Sequence, residues 1–190
     1  MAWWGKLLIG LGVVAVVIII VALVVKAYNK LVDRREKVKN GWSQIDVHLR
    51  RRFDLIPNLV ETVKGYAAHE KETLENVTMW RSRVSSASTT EEAIDANAGL
   101  SGALGRLLVT MEKYPELKAN QNFLKLQSEL TEIENKIAFA RQFYNDTVQK
   151  YNVLVKRFPS NIIASVFKFK EEKFFEVDNT IRETVPQVKF

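Results

Sequence analysis

Few residues in this chain are of a type that could carry covalent or acid–base chemistry. There are two histidines, His48 and His69, and no cysteine among 190 residues. Without a thiol there is no disulfide, no thiolate nucleophile, no Cys-ligated zinc and no S-acylation site. A carboxylate-bridged di-metal site in a helix bundle needs Glu-x-x-His on two helices. Here Ile45 and Tyr66 stand three residues before the two histidines. His69-Glu70-Lys71-Glu72-Thr73 starts as H-E-x-x-H does but ends in threonine, so the second zinc-binding imidazole is missing. The segment Gly99–Gly105 fits neither G-x-G-x-x-G after a strand nor the phosphate loop G-x-x-x-x-G-K-[ST]. Asp46, Asp54 and Glu61 could pair as acid and base, but carboxylates on helices mostly face solvent or form ion pairs. Arg50-Arg51-Arg52 is the densest basic cluster away from the N-terminal region. Successive helical side chains point ~100° apart, so the cluster makes no continuous basic stripe of the kind a nucleic-acid surface needs. It is better suited to salt bridges with acidic residues of a neighbouring helix, such as those within Glu129–Glu134. No catalytic residue, cofactor site, metal site or nucleic-acid partner is expected, and the chain is read as a non-enzyme.

The elements that would position these residues are helical. Eight glycines and four prolines are too few for the tight turns of an all-β chain. Leu7 to Val25 is an uncharged run rich in Val and Ile. At ~1.5 Å per residue it covers about 28 Å, close to the ~30 Å hydrocarbon core of a bilayer. Trp3 and Trp4 stand where interfacial aromatics belong, and Lys6 and Lys26 bracket the run. It exceeds the usual ~7–15 residue apolar core of a signal peptide and no A-x-A site follows, so one uncleaved transmembrane helix is expected. The expected organisation is an anchor over 1–26, a helical bundle over 27–170 and a tail over 171–190.

Two long stretches carry apolar residues at 3-4 spacing. One runs from Leu31 through Val38, Ile45, Ile56, Leu59, Val63, Tyr66, Leu74 and Val77 to Val84, with Arg35, Arg52 and Glu70 as polar interruptions; the other runs from Phe123 through Ile137 and Tyr151 to Phe158. Such stripes mean helices packed lengthwise. The first keeps its phase across Pro57, so one helix is expected to continue unbroken from Leu7 to Val84, kinked rather than broken at the proline. Ser88 and Thr89 each precede a Glu by three residues, which is capping-box spacing for a helix over about 90–113. Gly99, Gly102 and Gly105 share a face of that helix and would admit close packing of another backbone. Pro159 stops the second long stripe, and Ser160 or Asn161 could cap a short helix near Ile162–Phe169. Tyr28–Arg34 and Tyr151–Arg157 are similar to each other, as the two ends of an antiparallel bundle presenting one surface would be. The fold expected is all-α: a single N-terminal transmembrane helix continuing into an elongated antiparallel helical bundle.

Several blocks resemble the LemA family: Trp42–Asp46, Arg51–Tyr66 with His69-Glu70, Tyr114–Asn120, Glu134–Arg141, Tyr144-Asn145 and Phe158–Asn161. Within them Asp46, Arg51, Arg52, Asp54, Asn58 and Glu61 are the family-motif polar residues. The resemblance covers nearly the whole chain. It implies a bacterial, membrane-anchored, long helical domain without an established catalytic activity.

The membrane side is read from two opposed signals. Lys26, Lys30, Arg34, Arg35, Lys37 and Lys39, offset by Asp33 and Glu36, follow the span. The positive-inside rule alone would place the following domain in the cytoplasm. The family resemblance points the other way, because many relatives look like lipoproteins with a cysteine where this chain has Lys26-Ala27. The extracytoplasmic side of the cell (inner) membrane is favoured, with the cytoplasmic side left open. Lys26, Lys30, Arg34 and Arg35 also suit contact with anionic headgroups. The functional expectation is a membrane-anchored helical scaffold that self-associates at the cell envelope. The alternative is an adaptor or regulatory subunit for a membrane protease or envelope-stress system. Expected partners are the bilayer, further copies of the chain and other membrane proteins.

Overall fold

The structure, a computed structural model, describes residues 3–175, without the side chains of residues 5 and 6. Among the described residues six helices follow in order: α1 (Trp3–Lys64), α2 (Lys71–Ser86), α3 (Thr90–Met111), α4 (Pro115–Lys118), α5 (Gln121–Lys156) and α6 (Ser160–Val166). No strand occurs among the described residues, so the fold is all-α. Helix α1 runs without interruption from the apolar segment through the basic region, as expected where no turn cluster intervenes. It is the one helix among the described residues long and apolar enough to cross a membrane; its most apolar window has a mean hydropathy of 3.4 and is wholly exposed. Lys6 and the tail beyond Phe175 lie outside the described side chains and residues.

The chain divides into two compact units, and α1 and α5 contribute to both. The first comprises residues 1–42 and 143–174. Its core is built on Leu31 and Val38 of α1 and on Val148 and Tyr151 of α5, all buried. At Gly41 the two backbones approach closely: a Cβ there would stand 3.3 Å from the Tyr144 Cα. The similar segments starting at Tyr28 and Tyr151 both lie in this unit.

The second unit comprises residues 43–142 and 175–190, of which those to Phe175 are described. Leu59 and Val63 of α1, Val77 of α2, Leu100 and Leu107 of α3 and Phe123 of α5 form its dry centre. The expectation of one helix to Val84 is corrected here. Helix α1 ends at Lys64, and the chain turns through Gly65–Glu70 before α2 begins. Helix propensity drops by ~1 kcal/mol at a glycine, and tight turns replace the ladder, with Tyr66 N donating to Val63 O (3.0 Å) and Glu70 N to Ala67 O (3.0 Å). Ala67 is buried, and Leu74 and Val77 fold back onto the same core that they would have left in a straight helix. Tyr66, expected on the seam, is exposed in this turn.

The other helix ends follow local chemistry. The Thr89 hydroxyl accepts from Glu92 N (3.1 Å), and the Glu92 carboxylate accepts from Ser88 N (2.8 Å), so the expected capping pattern forms with Thr89 as the cap. Asn120 caps α5 by accepting from the backbone of Asn122 and Phe123, and its amide donates to the Tyr66 hydroxyl (2.8 Å). Helix α6 starts earlier than expected. Ser160 is its first residue rather than its cap, and its hydroxyl donates to carbonyls near the end of α5, at Leu154 (2.7 Å) and Arg157 (2.8 Å). Phe158, expected to end the buried stripe, is 74% exposed.

Candidate functional site

Of the six family-motif polar residues, only Arg52 is buried, at 1% exposure; Asp46, Arg51, Asp54, Asn58 and Glu61 are exposed on α1. Arg52 sits on the α1 face that carries the apolar seam, so its guanidinium is carried into the second unit. Nη1 donates to Ser101 Oγ (2.6 Å) and Glu134 Oε1 (2.7 Å), and Nη2 donates to Asn97 Oδ1 (2.7 Å) and Asn97 O (3.2 Å). Asn97 is oriented by its own amide, which donates to Ala93 O (2.7 Å). One side chain therefore ties α1 to α3 and α5. The expected pairing of the arginine cluster with the Glu129–Glu134 region is found at Glu134, which is 42% exposed. Arg52 Nε is buried without a hydrogen-bond partner. The charge pair lies at the rim and the neutral partners lie inside, an arrangement that fixes helix register rather than one that activates a proton or nucleophile.

The remaining candidates for chemistry do not converge. His48 is half-buried, and burial, then the charges of Arg51 and Lys136, push its imidazole below the ordinary value. Its Nδ1 is buried without a hydrogen-bond partner. His69 lies in the turn before α2 while Thr73 lies on the helix. Among the described residues no three His, Asp or Glu side chains cluster as metal ligands. Glu61 pairs with Lys64 (2.8 Å), in the manner of a solvated helix face.

The three glycines of α3 separate into two environments. A Cβ at Gly99 would overlap the Trp80 ring of α2, so close packing there is met within the chain. Gly102 and Gly105 face open space and, with Thr73, Asn76, Arg106 and Val109, line a groove of about 560 Å³ between α2 and α3.

In the first unit the basic residues after the span divide as well. Lys26 and Lys30 are exposed, and Arg34 is half-buried. Arg35 Nε stands 4.0 Å from Glu172, while Lys37 and Lys39 pair with Asp33 and Glu36. Glu172 belongs to an extended strap, residues 169–175, for which the sequence shows no period. Asn152 holds the strap reciprocally: Nδ2 donates to Glu172 O (2.8 Å), and Oδ1 accepts from Glu172 N (3.0 Å). The hydroxyls of Tyr144 and Tyr151 donate to Lys173 O and Lys170 O. Burial, then the Glu172 charge, push Tyr144 up to about 12. The signal for the strap was an asparagine and two tyrosine hydroxyls on a buried helix face, each of which must find a partner.

Comparison with known proteins agrees with this architecture. The family model described as "LemA family" matches residues 41–190. The chain is 26% identical over 192 residues to "Magnetosome protein MamQ 2" of Paramagnetospirillum magneticum, covering 87% of this chain and 70% of that protein. It is 24% identical over 196 residues to "Magnetosome protein MamQ" of Magnetospirillum gryphiswaldense, covering 90% and 72%. It is also 24% identical over 158 residues to "Protein LemA" of Metamycoplasma hominis, covering 83% and 72%. With the family match extending over most of its length, the chain belongs to the LemA family.

Proposed function

We propose that the protein is a non-catalytic helical scaffold, anchored in the cell (inner) membrane by Leu7–Val25, whose copies associate side by side with the domain on the extracytoplasmic face. One observation carries the self-association. Phe139 of α5 is 74% exposed. Exposed aromatic side chains of this kind are what interface cores are made from. A second copy is the fitting occupant, because an anchor holds identical chains parallel in one plane and raises their effective concentration. The groove at Gly102 and Gly105 offers a further place for a backbone to approach.

Native mass measurement of the full-length protein, extracted in several mild detergents, tests this. A homo-oligomer is expected, reduced in size or occupancy by F139S. A monomer in every detergent overturns the reading; a monomer in fixed stoichiometry with a different membrane protein replaces it with the adaptor role. The side of the membrane is read separately. The chain has no cysteine, so K113C is expected to react with a membrane-impermeant maleimide in intact cells; protection until lysis places the domain in the cytoplasm.

A further inference from the structure

The end of the first unit exposes an apolar surface that its own chain does not cover. On α6, Ile162 and Val166 are 53% and 68% exposed, four residues apart on one face. Phe167, next in the chain after Val166, is 50% exposed. This surface has a fixed place relative to the membrane span. Tyr28 lies three residues past Val25, ~4.5 Å further along the helix axis. Its ring centroid is 4.7 Å from that of Phe167 and 5.8 Å from that of Phe169. Exposure along the span first falls at Val24, then at Ala27 and Tyr28.

The exit from α6 holds the patch in that place. Phe169 N donates to Ala164 O (2.9 Å) and Lys168 N to Ser165 O (3.2 Å). With Lys168 in the left-handed region (φ 58), this is a Schellman termination made by a lysine in the position that glycine usually takes. Lys168 and Lys170, next in the chain, and Lys26 and Lys30, two residues to either side of Tyr28, are exposed.

We propose that α6 is a second, peripheral membrane contact: Ile162, Val166 and Phe167 enter the interfacial layer of the bilayer beside the exit of α1, with the neighbouring lysines at the headgroups. The occupant follows from continuity with the span. The headgroup layer extends about 5–7 Å beyond the hydrocarbon core, and interfacial helices sink ~5–10 Å into that boundary. A patch tied to the first turn after the span lies within that range. Cationic residues flanking an apolar face are the pattern of a surface-lying helix. The proposal rests on the reading of Leu7–Val25 as a membrane span.

Single cysteines in the full-length protein, labelled with an environment-sensitive fluorophore in phosphatidylcholine–phosphatidylglycerol vesicles, test it. Labels at I162C and V166C are expected to be quenched by lipid nitroxides at a shallow acyl position about threefold or more above a V109C label on α3. V166D is expected to abolish quenching of the I162C label while leaving helicity unchanged, since position 166 is exposed. Labels at 162 and 166 quenched no more than at 109, while V16C is quenched by deep nitroxides, overturn the proposal and leave the anchor standing. If the V16C label is unquenched, the anchor reading fails and this one with it. If the 162 and 166 labels are shielded but unquenched by lipid and cross-link between copies, the patch is a protein interface and the proposal is wrong.

Discussion

Arg81 Nε of α2 donates a hydrogen bond (3.4 Å) to the carbonyl of Phe53 in α1. That is the carbonyl which Pro57, four residues on and without an N–H, cannot serve. The same guanidinium lies over the Phe53 ring, 4.1 Å from its centroid. The gap that the proline leaves in the ladder is thus filled from the neighbouring helix, and α1 continues through it. Pro57 and Arg81 form one unit: the proline creates the acceptor and the arginine uses it.

Replacing Arg81 by Ala should therefore cost about 1–2 kcal/mol, from one charge-assisted bond and one cation–π contact. In a P57A background the backbone N–H of residue 57 recovers the Phe53 carbonyl, and the same change should cost less. Denaturant melts of the four proteins of this double-mutant cycle measure the coupling. Equal costs in both backgrounds would separate Arg81 from the proline.

The Arg52 hub makes a different prediction, because its partners are unequally buried. R52A removes the donor to four acceptor contacts and leaves the buried Asn97 Oδ1 without it, at about 3–5 kcal/mol. E134A leaves the guanidinium with its neutral partners and opens one side to solvent, at about 1–3 kcal/mol. R52K is expected to behave nearly as R52A, since an ammonium cannot reproduce the planar fork that reaches Ser101, Asn97 and Glu134 together. Chemical denaturation ranks the three; a lysine variant as stable as wild type would show that charge alone holds the register.

How far the fold was legible follows from what spacing encodes. Leu31, Val38, Ile45, Ile56, Leu59 and Val63 were expected on one seam and are buried. A seam has phase but no direction. Leu74 and Val77 stay in phase whether the chain goes straight on or turns at Gly65, so the turn was not readable. Arg52 stood out as a polar interruption of the seam, and the acidic stretch containing Glu134 was its expected counterpart. The strap was not readable, since an extended segment held by three side chains imprints no period on its own residues. The close approach at Gly41 was missed because an isolated glycine in a helical stretch carries no pattern, whereas the spaced glycines of α3 do.

Those glycines separate sharply on substitution. G41A would press on the α5 backbone at Tyr144 from 3.3 Å, so that α5 must give by a few tenths of an ångström, and G99A must displace the Trp80 ring. Both should destabilise, by about 1–3 kcal/mol. G102A and G105A meet nothing within 4 Å and should each stabilise the chain by ~0.5–1 kcal/mol through helix propensity. Thermal melts at fixed protein concentration give the sign of each. A G102A protein that melts higher as a monomer but loses its native oligomer would place the groove in the interface between copies.

The strap gives a prediction with a pH signature. N152D keeps the oxygen that accepts from Glu172 N but loses the amide that donates to Glu172 O, setting an acceptor against an acceptor. It should release residues 169–175 to proteolysis at a concentration that spares wild type. Alkaline pH should do the same to the wild-type chain. The Tyr144 phenol is held up to about 12 in the fold against 10.0 in an unfolded chain, and burial, then the Glu172 charge against the opposing Arg35, raise Tyr151 in the same direction. Between those values the unfolded chain has released the proton and the folded chain retains it. The stabilisation is therefore complete below about pH 10 and is lost as pH rises towards 12. Y144F has no proton to release, so its stability should fall less steeply over that range, although it starts lower for want of the bond to Lys173 O. Urea melts from pH 9 to 11.5 read the slope directly; parallel curves for wild type and Y144F would show that the strap is held without the phenol.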